Sequence, residues 1–392
     1  MTDVIAPLGF FRRDNVAPDT ERTGLLRGAT MDDPDSPEAL EFHDCALKDW
    51  SRRDAPALHL DRMGFDVLDL SALTALQSLL EDVRTAGEIT PAAARALRRE
   101  LRGQVLRMSS GRRLRLLSIA PEGLIMRTAG PDGLQPDPDV QMSEMNGHGA
   151  AGAVHGDQDV RGTPLKQMMR GFAPWLFRHQ TPDGSNRLSP LVLVNLWIPL
   201  DQITRPLTLM DRRSLDKRAH QLRYALPTDA FLDRDEQMRE NDIWTFLYHE
   251  GQRWYFNPDL DSRSAYVFDT LGTPHGSAIL PGEAQLRQFY VALAAARDAL
   301  AAGDRQRAIE AATIPCAVPC DSTEALRDAA KTMQGLLREL HSGGVETAQE
   351  TDAWLEGAGE ILTRVVRKSL EMRVVALLYP AWWPRFRARG CG

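Results

Sequence analysis

The run LVLVNLWIPLDQITRPLTLMD, residues 191–211, decides the fold. Its first ten residues are rich in branched and aromatic side chains, interrupted only by Asn195 and Pro199, which suits a central, largely buried strand. PLTLMD (206–211) follows as a shorter strand, and IWTFLYH (243–249), QRWYFN (252–257), SAYVFDTL (264–271) and LRQFYVALA (286–294) read as further strands. Several short strands separated by polar turns predict a sandwich or barrel, not a doubly wound parallel sheet.

Working outward, HLDRMGFDVLDL (59–70) predicts a strand from Phe65 to Leu70, and SALTALQSLLEDVRTAG (71–87) a helix capped by Ser71. Thr90-Pro91 opens a second helix, since proline suits a first helical position. RRLRLLSIAPEGLIMRTAG (112–130) reads as two strands joined at Pro121-Glu122-Gly123. Residues 1–56, without sustained periodicity, are expected to be an extended N-terminal arm, and 57–295 the catalytic domain. From 296 to 392, Ala, Leu, Arg and Glu at helical spacing predict an all-α extension. The expected class is therefore α+β, with helices before and after a strand-rich core.

The bulk properties narrow the function. A net charge of -7 gives no global positive field for a phosphate backbone, so nucleic acid is not expected as a partner. The longest apolar run, 191–200, is too short to span a membrane, and the first thirty residues lack the apolar segment of a secretory signal. A cytoplasmic protein without membrane contact is expected. With 4 cysteines in 392 residues no disulfide framework is expected, and Cys316-x-x-x-Cys320 lacks a second pair at zinc-site spacing. Glycine-rich nucleotide-binding motifs are absent.

Two of the 9 histidines sit in an H-x-D tripeptide, His59-Leu60-Asp61 and His155-Gly156-Asp157. On a strand, residues i and i+2 project from one face about 7 Å apart at Cα, so an imidazole and a carboxylate can close on one metal ion. The tripeptide before the strand-rich region reads as structural. The third ligand should end a late strand and be followed by a cation. His275, in FDTLGTPHGSAILPG (268–282), does so, and Arg287 follows it at the start of the expected strand RQFYVALA. A guanidinium there could grip a carboxylate in bidentate fashion. Two His and one carboxylate leave three positions of an octahedron open, the arrangement used by ferrous oxygenases. Taken alone, His275 reads as a turn histidine, and it is the H-x-D before it and the arginine after it, in this order, that favour the ligand reading.

VHGDQ, LVLVNLWIPLDQITRPLTLMDRRSL, and QRWYFNPDL followed by SAYVFDTLGTPHGSAI together resemble the hydroxylase/desaturase family that includes cephamycin-cluster proteins and fungal natural-product oxygenases. That family belongs to the wider iron- and 2-oxoglutarate-dependent oxygenases, and the resemblance covers roughly residues 60–295. It implies a double-stranded β-helix (jelly-roll, cupin-like) core and Fe(II) held by His155, Asp157 and His275. Arg287 and Asn195 would then bind 2-oxoglutarate, and Trp197, Gln158 and Tyr255 the substrate. The implied reaction is hydroxylation or desaturation of a small specialised metabolite with dioxygen, as 2-oxoglutarate goes to succinate. Where the family reads N-x-W-R-P, this chain has Asn195-Leu196-Trp197-Ile198-Pro199. That missing arginine supports an alternative, a metal-poor accessory or binding protein of a biosynthetic pathway. A metal-dependent isomerase or hydrolase using the same three ligands with zinc is another. The run VVALLYPAWW (374–383) suggests a homodimer through the C-terminal helices.

Overall fold

Along the strand Leu191–Asp201, side chains alternate between two environments. Val192, Val194, Leu196, Ile198 and Leu200 enter one apolar core, while Trp197 enters another on the opposite face. The strand is thus covered on both sides, which is why its sequence is almost continuously apolar. The computed structural model describes residues 3–17, 24–29, 36–134, 145–158, 176–227 and 240–379.

Among the described residues, two large sheets face each other. The seven-stranded sheet runs in the order Phe65–Asp69, Ser264–Asp269, Leu191–Asp201, Arg367–Leu378, Arg113–Ala129, Val105–Arg107, with Asn146–His148 beside Arg113–Ala129. The nine-stranded sheet runs Val4–Phe11, Leu40–Asp49, Trp254–Phe256, Leu207–Met210, His275–Ser277, His155–Gly156, Glu240–Phe246, Gln221–Pro227, Leu26–Arg27. Between them lie Phe65, Trp197, Leu209, Tyr255, Tyr266 and Phe268. The outer face of the seven-stranded sheet is covered by the helices Thr74–Ala86 and Pro91–Leu101. That of the nine-stranded sheet is covered by Glu283–Ala301, Glu324–His341 and Ala348–Val365. No described helix is long and apolar enough to cross a membrane.

Several expectations are corrected. LRQFYVALA lies in the helix Glu283–Ala301, not a strand. Leu286, Phe289, Leu293, Ala296 and Leu300 are its buried face, and this helical spacing overrides the strand propensity of Phe-Tyr-Val. Residues 112–130 form one long strand, Arg113–Ala129, without a hairpin. Leu73, not Ser71, stands at the N-cap of the first long helix, because Ser71 bonds to Asp69. Thr90 does cap the second, accepting from the Ala93 amide.

The largest correction concerns the two ends of the chain. The C-terminal region is not all-α, since Arg367–Leu378 is a strand between Leu191–Asp201 and Arg113–Ala129. Leu370, Met372, Val374, Ala376 and Leu378 alternate into the outer core, a period-two pattern. The expected arm likewise supplies Val4–Phe11 and Leu40–Asp49 to the nine-stranded sheet. A boundary at 56 therefore cuts through the nine-stranded sheet and one at 295 through the seven-stranded sheet. The apolar faces of the C-terminal helices pack on the nine-stranded sheet, so they need no second chain to cover them. Trp382 and Trp383 lie outside the described residues.

Candidate functional site

His155 and His275 are direct antiparallel partners on adjacent strands, so their side chains share the face that looks into the space between the sheets. Their ring centroids are 4.4 Å apart. Asp157 follows two residues after His155, with Oδ1 3.8 Å from Nε2 of His155 and Oδ2 3.6 Å from Nε2 of His275. The three offer ligand atoms that lie within 4.8 Å of one another and could hold a metal ion.

Protonation favours such an ion. Nδ1 of His155 lies 2.9 Å from the Ala153 carbonyl and Nδ1 of His275 3.0 Å from that of Thr273. A carbonyl only accepts, so Nδ1 carries a proton, and in the neutral form of each ring the lone pair is then on Nε2, the nitrogen that faces the site. Burial, helped by the neighbouring His155, lowers the His275 pKa to about 4. For Asp157 burial pushes upward, but His275, Arg373, His155 and the Asn195 amide outweigh it and take the pKa to about 2. A neutral imidazole and an ionised carboxylate are the forms that bind metal.

The N-terminal strand braces this arrangement. The Val154 amide donates to the Gly9 carbonyl at 2.7 Å, fixing the chain just before His155. A Cβ at Gly9 would lie 2.5 Å from the Gly152 carbonyl oxygen, so only glycine allows that approach.

The seven-stranded sheet supplies the opposite wall of the cavity. That wall carries Trp197 and Phe268 as apolar and Arg127, Arg367 and Glu371 as polar lining, while Leu207 and Ser277 line the cavity from the nine-stranded sheet. Arg367 is buried, and burial lowers its pKa to about 10. One of its amines donates to the Arg205 carbonyl at 3.3 Å, whereas Nε has no partner. The Trp197 indole N–H is also buried without a partner. Arg127 and Glu371 pair at 3.4 Å.

Of the residues singled out from sequence, His155, Asp157, His275, Asn195 and Trp197 come together around this cavity. Three do not. Arg287 is on the exposed side of the helix Glu283–Ala301, 3.7 Å from Asp132, because the expected strand that would have brought it inward is a helix. Tyr255 is buried in the core between the sheets, beside Phe65. Gln158 is fully buried, its amide unpartnered and away from the cavity lining. Sequence reading missed Arg127, Ser277, Arg367, Glu371 and Arg373. The last three share the inward-facing phase of the 367–378 strand, and the alternation in RKSLEMRV was the signal that could have found them.

The class that this site defines is a two-histidine, one-carboxylate candidate metal centre between two sheets. No protein-family profile and no curated protein matches the chain. Among solved structures it is similar to the iron and alpha-ketoglutarate-dependent endoperoxidase NvfI, at 11% identity over 96% of this chain and 98% of that one, with a TM-score of 0.44. A structure of the same protein in a different conformation gives 13% identity and a TM-score of 0.47.

Proposed function

We propose that the chain is an Fe(II)- and 2-oxoglutarate-dependent oxygenase of double-stranded β-helix architecture that hydroxylates or desaturates a small specialised metabolite. The observation that carries this reading is the union, in one cavity, of two imidazoles and one carboxylate with their ligand atoms close together and a buried arginine with an unpartnered donor. An oxygen-rich dianion chelating at one end and held by a cation at the other answers both features. With the ion, co-substrate and dioxygen bound, the chemistry supplied is C–H oxidation coupled to conversion of 2-oxoglutarate into succinate and carbon dioxide.

The chain's own residues bind, orient and exclude water. His155, Asp157 and His275 would hold the ion. Arg367, which lines the same cavity as Trp197, is the cation we assign to the distal carboxylate in place of Arg287. Leu207, Phe268 and the Trp197 ring form an apolar wall that favours a carbon-rich substrate. Ile198 faces the outer core beneath the helices, so the arginine absent there removes no contact within this cavity, and the accessory-protein alternative loses its motive.

The test is to incubate the full-length protein with Fe(II) and 2-oxoglutarate in air and measure succinate, with His275→Ala as control. Succinate from the wild type alone supports the reading. No consumption of 2-oxoglutarate by metal-loaded protein, in the presence of a library of hydrophobic metabolites, sinks it.

A further inference from the structure

The two metal-facing histidines are fixed relative to each other by strand pairing, but Asp157 lies beyond the end of that strand and is held from across the cavity. Resting on the metal-centre reading above, we infer that Asn195 and Thr270 form a relay of positioning residues that keeps Asp157 a one-oxygen ligand. Asn195 Nδ2 donates to Asp157 Oδ2. Thr270 Oγ1 in turn donates to Asn195 Oδ1 at 2.9 Å. Both are buried. They belong to the seven-stranded side, where Asn195 pairs with Phe268 and the Thr270 amide donates to the Leu193 carbonyl at 3.2 Å. The carboxylate of one sheet is thus gripped by the other.

The direction of the relay follows from charge. An ionised carboxylate only accepts, so the Asn195 amide must turn its NH2 toward Asp157, which leaves its oxygen for the Thr270 hydroxyl. With Oδ2 engaged, Oδ1 is the oxygen left for a metal ion. One oxygen and two Nε2 atoms leave three open positions in an octahedron. A carboxylate free to swing could close on the ion with both oxygens and take one of them. The relay therefore sets the number of open positions as well as affinity. Arg373 contributes differently. It is the cross-strand partner of Asn195, and its guanidinium lies 3.6 Å from Oδ1 without a hydrogen bond, so it supplies charge but no orientation.

Full-length wild type, Asn195→Ala, Thr270→Val, Thr270→Ser and Arg373→Met would be titrated with Co(II) by calorimetry, with the visible spectrum of the bound Co(II) recorded. Asn195→Ala should weaken Co(II) binding by ~10–100-fold and change the spectrum, as expected for loss of an outer partner of a ligand. Thr270→Val should do so less, and Thr270→Ser should restore wild-type values, which a purely packing role for the threonine methyl would not allow. Arg373→Met should leave the spectrum unchanged. Unaltered Co(II) affinity and spectrum in Asn195→Ala, with weaker 2-oxoglutarate binding, would make Asn195 a co-substrate ligand and overturn the inference alone. Wild type that binds no Co(II) overturns the metal-centre reading itself. Should Asn195→Ala fail to fold, the Thr270→Val and Thr270→Ser pair decides, and identical Co(II) behaviour in those two overturns the relay.

Discussion

His59-Leu60-Asp61 and His155-Gly156-Asp157 carry the same two side chains at the same spacing and do different work. The second straddles the end of a strand, so histidine and aspartate converge on one face, opposite His275. The first opens the short helix Leu60–Met63, with His59 at its N-cap. The chain passes from extended backbone at His59 into the helix at Leu60, so the two side chains are not i, i+2 neighbours on one strand face. Asp61 instead accepts from Arg112 and, at 2.7 Å, from Arg178. Burial and the Arg112 charge lower the pKa of His59. One tripeptide has unengaged donor atoms in a cavity, while the carboxylate of the other is consumed by guanidinium groups. An H-x-D motif acquires meaning only from the backbone that carries it.

The strongest way to break this contrast is to remove each ligand. His155→Ala, Asp157→Ala and His275→Ala should each abolish binding of one Co(II) per chain, as no fourth donor is present among the described residues, while His59→Ala should leave it intact. Loss of the ion in His59→Ala alone, read by calorimetry, reverses the assignment.

Asp61→Ala sharpens the other half. Two partly buried arginines would face each other without their shared carboxylate, and the unfolding free energy should fall by about 2–4 kcal/mol in urea titrations. Co(II) affinity should not move. An unchanged stability would show that water serves those guanidinium groups as well as Asp61 does.

A third contrast sets Arg367 against Arg287. Arg367→Met should weaken 2-oxoglutarate binding to Co(II)-loaded protein by about 2–4 kcal/mol, as for a desolvated charge partner. Arg287→Ala, on an exposed helix face, should change it by less than about 0.5 kcal/mol. The opposite ranking would return the anion clamp to the helix.

The smallest effect concerns the cations around the first tripeptide. Lys217 is near Arg212, which donates to the Asp61 carbonyl at 2.5 Å. Burial and Arg212 lower its pKa from 10.5 to about 7. From there up to its unfolded value, the unfolded chain holds a proton that the folded chain releases, so this group's contribution to stability rises with pH in that window. Lys217→Met should flatten the rise between urea melts at about pH 7.5 and about pH 9.5. An undiminished rise would place its origin in another group.

How much was legible depended on how local the deciding interactions are. The strand at 191–200 and the short strands near it were readable because branched and aromatic residues favour a pleated, covered surface wherever it lies. His155, Asp157 and His275 were readable because i, i+2 spacing on a strand and a late histidine constrain geometry along the chain itself. LRQFYVALA misled, since its local propensity and its buried spacing disagree and packing on the nine-stranded sheet chose the spacing. Arg287 was misplaced with it.

By itself, then, the sequence determined that this chain would build covered sheets and bring a histidine and an aspartate together near residue 155. Period-two and i, i+2 patterns are properties of the backbone alone. Tertiary structure alone decided which cation joins them and what holds Asp157. Arg367 reaches the cavity, and Arg373 reaches Asp157, because their strand, after a long helical excursion, fills the gap between Leu191–Asp201 and Arg113–Ala129. The bond from Asn195 to Asp157 spans two facing sheets. Pairings between strands so distant in sequence are fixed by the cooperative packing of whole sheets, for which no short segment carries a signal.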